Sequence, residues 1–440
     1  MKKIYVCLLG AALLAGFASS AHAQLTIEIT EGVDQAVPIA VVPFEWQGGL
    51  SKPPLDVSAV IASDLTNSGR FDPMDPRDML ERPVNEQAID FEDWKLLGVE
   101  IIVVGRLLPQ SGGNFVIQFE VFDLFSQQRL LGFRLPSAAS GLRAAAHRIS
   151  DLIYEKLTGI KGAFATRIAF ITVQGQGAAK RYRLVISDAD GANHNIIVES
   201  PEPLMSPAWS PDSKRIAYVS FENNKSAIYI QKLAIQEPGI PQRYRASARE
   251  GVNGAPVFSP DGRKLALTLS RDSGNLDIYI LNLTDQVLTR VTRNQAIDTE
   301  ATWSADGSKI YFTSDRSGGP QIYMADADGR NKRRITYEGS YNGCSRLTPE
   351  GDEMAVVHND QGAFRIARVN PDNGNLLVLT AGQLDESPSF APNGETIIYA
   401  TQVNGRGVLA TVSIDGRIRR RIAAQEGDVR EPAWSPYPEY

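Results

Sequence analysis

The sequence predicts an α/β N-terminal domain followed by an all-β six-bladed β-propeller that is closed by its C-terminal strand. Three observations support this fold class. A unit built around Trp-Ser-Pro recurs with a period in the forties, each period has strand-like content, and the preceding residues mix helical and strand patterns. The expected domains are residues 24–160 and 161–440, after a signal peptide at residues 1–23.

The first 23 residues have the pattern of a secretory signal peptide. Lys2 and Lys3 precede a short apolar run, and small residues lead to the sequence Ala21-His22-Ala23. We therefore expect cleavage after Ala23. The apolar run is too short to span a bilayer comfortably, and no later stretch is long enough to do so. These features predict an exported, periplasmic protein that is not membrane-spanning.

Composition argues against several classes of function. The formal net charge is −6 at pH 7, and it becomes −8 once the two lysines of the signal peptide are removed. An acidic exported chain is a poor candidate for binding nucleic acid. Cys7 lies in the signal peptide, so Cys344 is the single cysteine of the mature chain. No disulfide can form within the chain, and its stability must come from packing.

Residues 24–160 alternate between strand and helix patterns. Ala36–Phe44 is predicted to be a buried strand, and Val57–Leu65 places apolar residues on one helical face. The segments VEIIVVGRLL and NFVIQFEVFD are further predicted strands. An apolar stripe from Leu142 predicts a long helix that ends near Gly159. We place the domain junction at residues 159–163.

The repeats of the second domain align on the residue that ends the first strand of each unit. These anchor residues lie 43 to 49 positions apart and are Trp209, Phe258, Trp303, Leu347, Phe390 and Trp434. After each anchor comes a Ser-Pro-Asp-Gly type turn, then two β-rich strands and a weaker, often basic fourth strand. Four strands per period correspond to one propeller blade. The repeated turn aspartate is interpreted as structural, because a catalytic carboxylate is rarely needed six times.

The two ends of the repeat region complement each other. Arg167–Thr172 is a second strand without a first strand before it, and REPAWSP at the C-terminus is a first strand without a second. We predict that residues 430–436 pair with Arg167–Thr172 and close a six-bladed ring, which removes exposed sheet edges. The alternative, an open solenoid, would leave two edges unpaired and Trp434 uncovered.

Catalytic and cofactor motifs are weak or missing in the sequence. No G-x-S-x-G elbow occurs, and Gly175–Lys180 is better interpreted as a hairpin loop than as a dinucleotide loop. Asp188–Asn193 and Asp326–Asn331 are interpreted as hairpin turns, because they lack the other ligands of a calcium loop. The mature chain has three histidines without metal-ligand spacing: His147, His194 and His358. We expect no enzyme activity, no cofactor and no metal.

The loops that enter the first strands should ring one mouth of the propeller channel. Three residues before the anchors stand Ser206, Ala255, Glu300, Cys344, Ser387 and Glu431. Four residues before the anchors stand Met205, Gly254, Thr299, Gly343, Glu386 and Arg430. This mixture of apolar and charged residues suits a protein partner. Two alternatives stay open: solvated loops with no role, and an acidic mouth that holds a cation.

The mature N-terminus is a second candidate for binding. Within Gln24–Gln35, the apolar residues Leu25, Ile27 and Ile29 alternate with polar ones, as in a half-buried strand. The segment is either the first strand of its own domain or an arm that pairs with a partner by strand addition.

The chain resembles the TolB family of the Tol–Pal envelope system over essentially the whole mature sequence. The most specific motifs are KLTGIKGAF at Lys156–Phe164, LMSPAWSPD at Leu204–Asp212, NGAPVFSPDG at Asn253–Gly262 and PAWSPY at Pro432–Tyr437. The resemblance implies a non-enzymatic scaffold that binds the lipoprotein Pal at the mouth and TolA through the mature N-terminus. It also implies that some colicins imitate Pal, and that the system supports outer-membrane constriction during division.

The resemblance can be carried onto this chain residue by residue. It implies a Pal contact at Met205, Ala255, Thr299 and Glu300, which the ring of loops extends to Glu386, Arg430 and Glu431. It implies a TolA contact at Gln24, Leu25, Thr26, Ile27, Glu28, Ile29 and Thr30. One departure is Val252, where family members are expected to carry a histidine, so a contact through that imidazole does not carry over. The alternative function is a propeller lyase or hydrolase with a channel-bound metal, against which the scattered histidines argue.

Overall fold

The computed structural model describes residues 36–49, 52–233, 242–270, 274–422 and 427–438. These residues form a mixed α/β domain and a six-bladed β-propeller, which confirms the predicted fold class. The predicted signal peptide lies outside the described residues. Within the described ranges, no helix combines the length and the apolar character needed to cross a membrane.

The N-terminal domain is built on a six-stranded sheet with helices on both faces. Its strands are β1 (Val37–Val41), β2 (Glu45–Trp46), β3 (Phe71–Pro73), β4 (Ile101–Pro109), β5 (Asn114–Asp123) and β6 (Gln128–Ala138). The order is β3-β1-β4-β5-β6, with β2 beside β4. β1 runs parallel to β3 and β4, whereas β4, β5 and β6 are antiparallel neighbours.

Three helices cover this sheet. They are α1 (Val57–Ser68), α2 (Phe91–Leu96) and α3 (Leu142–Thr158). Ile61 of α1 and Ile149 of α3 belong to the core on one face, and Trp94 of α2 belongs to the core on the other. The sequence predicted α1 and α3 from their apolar stripes but gave no prediction of α2 or β6.

Glycines terminate both long helices, as their positions in the sequence predicted. Asp56 caps the start of α1 by accepting a hydrogen bond from the Ala59 amide. Gly69 then follows α1 with a φ of 69°, and Gly159 follows α3 with a φ of 74°. Left-handed backbone of this kind is the usual way to end a helix. The chain continues from Gly159 to the first propeller strand at Arg167.

Each propeller blade has four antiparallel strands. The strands of blades 1 to 3 are β7 (Arg167–Gln174), β8 (Arg181–Asp188), β9 (Asn195–Ser200), β10 (Leu204–Trp209), β11 (Arg215–Ser220), β12 (Ala227–Lys232), β13 (Arg243–Ser247), β14 (Asn253–Phe258), β15 (Lys264–Leu269), β16 (Asp277–Asn282) and β17 (Leu288–Arg290). Blades 4 to 6 and the closing strand are β18 (Asp298–Trp303), β19 (Lys309–Ser314), β20 (Gln321–Asp326), β21 (Arg333–Arg334), β22 (Asn342–Leu347), β23 (Met354–Asp360), β24 (Ala363–Val369), β25 (Leu376–Val378), β26 (Glu386–Phe390), β27 (Thr396–Val403), β28 (Arg406–Ser413), β29 (Arg419–Arg421) and β30 (Asp428–Trp434).

Blade 1 is assembled from both ends of the propeller sequence. Its strand order is β30-β7-β8-β9, and the antiparallel register pairs Val429 with Thr172 and Trp434 with Ile168. The predicted closure is therefore confirmed. Blades 2 to 6 follow in chain order as β10–β13, β14–β17, β18–β21, β22–β25 and β26–β29.

The anchor residues pack between neighbouring blades. A separate apolar core lies at every blade boundary, including the boundary between blades 6 and 1. The indole of Trp209 donates to the backbone oxygen of Ala433 in the previous blade at 2.9 Å. The indole of Trp434 donates to Thr166 Oγ1 at 2.8 Å. Tryptophan suits the anchor position because its ring fills the boundary while its N–H finds a partner.

The Ser-Pro-Asp-Gly type turns have the structural role that the repeats predicted. In blade 4, Ser304 Oγ donates to Asp306 at 2.6 Å, and the Ser308 amide donates to the same carboxylate at 3.0 Å. The hydrogen bonds from Ser304 and Ser308 lower the pKa of Asp306 to about 2. The segment 188–193 lies between β8 and β9, and 326–331 lies between β20 and β21, so both are hairpin turns as predicted.

The N-terminal domain lies against the turns at one end of blades 6 and 1. Arg70, just after α1, forms an ion pair with Glu395 of blade 6 at 2.9 Å. Arg143 of α3 pairs with Asp190 in the turn between β8 and β9. A cleft of about 870 Å³ opens between the two domains beside these contacts. The opposite end of the propeller, where the first strands begin, is turned away from the N-terminal domain.

Candidate functional site

Every first strand carries a β-bulge at the same place, three residues before its anchor. The regular pairing breaks there in all six blades. The bulged residues all have left-handed backbone, with φ between 44° and 55°: Ser206, Ala255, Glu300, Cys344, Ser387 and Glu431. We call these six residues the bulge ring. Left-handed backbone costs about 1–2 kcal/mol for a residue other than glycine, so the surrounding propeller must enforce this geometry.

Two glutamates of the bulge ring connect one blade to the next. The carboxylate of Glu431 in blade 1 accepts from the Ser206 amide of blade 2 at 2.5 Å. The carboxylate of Glu300 in blade 4 accepts from the Cys344 amide of blade 5 at 3.1 Å, and from Thr313 Oγ1 at 3.0 Å. The Cys344 thiol also donates to Glu300 at 2.9 Å. In both cases the left-handed residue of the following blade presents its N–H to a carboxylate.

Glu431 and Cys344 of the bulge ring are partly shielded from solvent. Burial raises the pKa of Glu431 above the usual glutamate value. Burial, followed by the negative charge of Glu300, raises the pKa of the Cys344 thiol well above its usual value. The thiolate is the reactive form of cysteine. Cys344 is therefore held in its unreactive form at neutral pH.

Apolar side chains are exposed around the outside of this mouth. Met205 is 41% exposed, Val252 is 45% exposed and Ile297 is 46% exposed. All three lie at or just before the start of a first strand. Arg430 is also exposed and pairs with Asp428 at 2.9 Å. Exposed apolar side chains beside charged ones are typical of a protein interface.

The structure brings the seven residues proposed to contact Pal to one end of the propeller. They differ in how far their side chains are exposed to solvent. Met205 and Arg430 are exposed, whereas Thr299 and Glu386 are partly buried. The other three, Ala255, Glu300 and Glu431, belong to the bulge ring. The segment proposed to contact TolA, residues 24–30, lies outside the described residues. Ile297 was not predicted from the sequence, although its position just before a first strand could have indicated it.

A cluster of ionisable residues lies away from the mouth, between the two domains. His147 of α3 is buried and lies 2.7 Å from Asp64 of α1. Its other ring nitrogen faces Asp188 and Asp190 of blade 1 at 3.9 and 3.7 Å. We call Asp64, His147, Asp188 and Asp190 the interdomain cluster. The ligand atoms of Asp64, His147 and Asp190 lie within 4.8 Å of one another, so they are close enough to hold a metal ion.

Comparison with known proteins accounts for both domains. Residues 154–438 match the family model described as the TolB beta propeller domain, and residues 25–130 match the TolB amino-terminal domain. A Tol-Pal system protein TolB from Xanthomonas euvesicatoria pv. vesicatoria is 45% identical, covering 97% of this chain and 96% of its own length. A protein of the same name from Xanthomonas oryzae pv. oryzae is 44% identical over 94% of this chain and 93% of its own.

A solved structure gives the same result. The crystal structure of TolB from Acinetobacter baumannii has a TM-score of 0.84 and 39% identity, covering 92% of this chain and 98% of that one. Sequence and fold therefore agree along both domains, and the chain belongs to the TolB family.

Proposed function

We propose that this protein is a periplasmic, non-enzymatic interaction protein of the Tol–Pal system. It binds the lipoprotein Pal through the propeller mouth and TolA through the mature N-terminal segment, and so supports envelope integrity and outer-membrane invagination during cell division. Colicins that imitate Pal would use the same mouth. Family membership supports the Tol–Pal assignment, and the exposed residues of the mouth support binding as the mode of action.

The observation that carries the Pal proposal is the combination of a rigid ring with an apolar rim. The bulge ring fixes the backbone at the mouth, because its left-handed residues are held by cross-blade hydrogen bonds such as Glu431 to Ser206. Met205, Val252 and Ile297 are then presented on that fixed frame. A preorganised apolar surface loses little conformational entropy when a partner binds.

The chemistry of the mouth favours binding over catalysis. Both Glu300 and Glu431 accept hydrogen bonds from the following blade, so their carboxylates serve the fold. Cys344 has a raised thiol pKa and donates to Glu300. Covalent catalysis needs an activated nucleophile. Although the Cys344 thiol contacts the Glu300 carboxylate, its raised pKa keeps it protonated, and this disfavours a propeller hydrolase that would use it.

Calorimetric titration of Pal into the purified protein tests the first contact. Met205→Asp places a charge on the apolar rim and should weaken Pal binding at least tenfold. Val287→Asp is the matched control, because Val287 is 56% exposed but lies in the turn between β16 and β17, at the other end of the propeller. Equal dissociation constants for the two variants would remove Met205 from the Pal site.

Deletion of residues 24–30 from the mature chain tests the second contact. We expect the shortened protein to lose TolA binding while it keeps the Pal affinity and the melting temperature of the full mature chain. Retained TolA binding would contradict the proposal for the N-terminal segment without affecting the proposal for the mouth. Titrating TolA with and without saturating Pal would further show whether the two contacts are coupled, since such coupling must be reciprocal.

A further inference from the structure

The interdomain cluster has a donor set and a geometry that suit a metal ion. His147 is 2% exposed, and its Nδ1 lies 2.7 Å from Asp64 Oδ2. The same oxygen accepts a hydrogen bond from Ser150 Oγ at 2.7 Å, so Asp64 is itself held in place. A carboxylate at Nδ1 keeps the ring proton on that nitrogen. It thereby leaves the lone pair of Nε2 free for a ligand, as in most protein histidines that bind metals.

The second ring nitrogen lacks a partner that its burial requires. Among the residues that the structure describes, Nε2 of His147 has no hydrogen-bond partner, although it is shielded from solvent. An unsatisfied buried nitrogen is costly, and its presence calls for an explanation such as an ion. Nε2 points toward the carboxylates of Asp188 and Asp190 in the turn between β8 and β9.

The spacing between Nε2 and these carboxylates fits two ligands of one ion. The distances to Asp190 Oδ2 and Asp188 Oδ2 are 3.7 and 3.9 Å, too long for hydrogen bonds. Two ligands of a tetrahedral zinc ion with bonds of about 2.0–2.1 Å are separated by roughly 3.4 Å. A shift of a few tenths of an ångström would therefore bring Nε2 to ligand spacing from both oxygens. The ion would replace the hydrogen bond from Asn193 to Asp188 Oδ2 and the pairing of Arg143 with Asp190 Oδ2.

The charge of the cluster also favours a divalent cation. Arg143 pairs with Asp190 and lies 3.7 Å from Asp188, so it offsets one of the three carboxylates. With a neutral imidazole, the three carboxylates of the cluster outnumber the one guanidinium that pairs with them, and an excess of negative charge at a partly buried interface is unfavourable. The cleft lined by Asp64, Arg143 and Asp190 gives an ion a route from solvent.

We propose that the interdomain cluster binds one zinc ion through His147 Nε2 and the carboxylates of Asp188 and Asp190, with Asp64 as the positioning residue. A mixed imidazole and carboxylate set selects zinc over magnesium or calcium, which prefer oxygen ligands. The ion would connect α3 of the N-terminal domain to blade 1 of the propeller. Its role is to fix the relative position of the two domains.

Zinc titration of tag-free mature protein, first stripped with a chelator, tests this proposal at pH 7.5. We expect one saturable site per chain, a rise in melting temperature with zinc, and no such response to magnesium. His147→Ala and Asp190→Asn should each weaken zinc binding by about tenfold or more. His194→Ala is the matched control, since His194 is an exposed imidazole near the same turn, and it should bind zinc like the unaltered protein.

Three results would overturn the proposal. One is the absence of saturable zinc uptake by the unaltered protein. Another is an unchanged zinc affinity in both His147→Ala and Asp190→Asn. A third is loss of the site in His194→Ala, which would place zinc at the surface. Asp190→Asn keeps the size of the side chain, so it still decides the question if His147→Ala fails to fold. If the protein takes up no zinc and NMR shows a protonated His147 imidazole, a proton on Nε2 takes the place proposed for the ion.

Discussion

Oε2 of Glu431 accepts a hydrogen bond from the backbone amide of Ser206 at 2.5 Å, and this contact joins the last strand of the chain to the first strand of blade 2. The amide is available because Ser206 has a φ of 52°, which turns its N–H out of the strand pairing. The bulge that marks the mouth also supplies the donor that links the two blades.

Glu431→Gln should stabilise the protein at neutral pH. Burial, with a smaller contribution from Glu386, raises the folded-state pKa of Glu431, while Ser206 and Arg430 oppose the rise. Because the folded state holds the proton more tightly than the unfolded state, the unaltered protein loses stability as the pH rises through the raised pKa. Glutamine keeps an acceptor for Ser206 without the charge, so the melting temperature should rise by a few degrees at pH 7.5.

The control is the pH dependence of the stability difference between Glu431→Gln and the unaltered protein. The gain from Glu431→Gln should shrink as the pH falls from the raised pKa toward the ordinary pKa of glutamate, and it should vanish below that value. A gain of the same size at every pH would show that the charge of Glu431 is not its cause.

Glu300→Ala should destabilise the propeller as well as alter the mouth. The substitution removes the acceptor of the Thr313 hydroxyl and of the Cys344 thiol, and it leaves the Cys344 amide only its 3.2 Å hydrogen bond to Thr313 Oγ1. Leaving such groups unsatisfied costs about 1–3 kcal/mol. Ser387→Ala, at the equivalent ring position of blade 6, should leave stability unchanged in denaturant unfolding. If Glu300→Ala unfolds like the unaltered protein, the contact between blades 4 and 5 is not stabilising.

Trp434→Ala should weaken the closure of the ring. The ring of Trp434 packs against the core between blades 6 and 1, and its indole donates to Thr166. Removing a large aromatic core residue costs about 3–5 kcal/mol, and the partial exposure of Trp434 favours the lower end. Trp434→Phe keeps an aromatic ring and should cost about 1 kcal/mol, the value of the lost hydrogen bond. Equal denaturation midpoints for the two variants would contradict this account.

The two helix-terminal glycines should respond differently to alanine. Both have left-handed backbone, but a Cβ at Gly69 would lie 2.2 Å from Ile418 Cδ1 of the propeller, whereas a Cβ at Gly159 would meet no atom within 4 Å. Gly159→Ala should cost about 1–2 kcal/mol of backbone strain. Gly69→Ala should cost that amount plus about 1–3 kcal/mol for overpacking. Thermal unfolding of the two variants measures the difference in stability. Equal losses of stability would show that Ile418 moves away from a Cβ at position 69 without cost.

The sequence was sufficient for the propeller because each blade carries its own local information. The period of the anchors, the Ser-Pro-Asp-Gly turns and the unmatched strands at the two ends predicted six blades and their closure. By contrast, β6 was not predicted. Much of this edge strand is exposed, so Gln128–Ala138 lacks a regular apolar alternation.

The details of the bulge ring and of the interdomain cluster depend on features that the local sequence does not indicate. Left-handed backbone at Ser206 or Cys344 could not be predicted, because neither residue type favours it and the propeller imposes it. The interdomain cluster was missed because Asp64 and His147 are 83 residues apart in the chain, and Asp188 and Asp190 join them only when the propeller packs against the N-terminal domain. Spacing rules for metal ligands do not detect a site assembled from separate elements.

The way blade 1 is assembled sets the order in which the protein can fold. Blades 2 to 6 pair strands that are neighbours in the chain, so each can form soon after its own residues are available. Blade 1 must join Thr166 and Trp434, which are 268 residues apart, and contacts between distant residues form slowly because the entropy of loop closure opposes them. While the chain folds, the edge of β7 therefore stays exposed until β30 pairs with it. Until then, this edge is open to proteolysis and to pairing with the wrong strand.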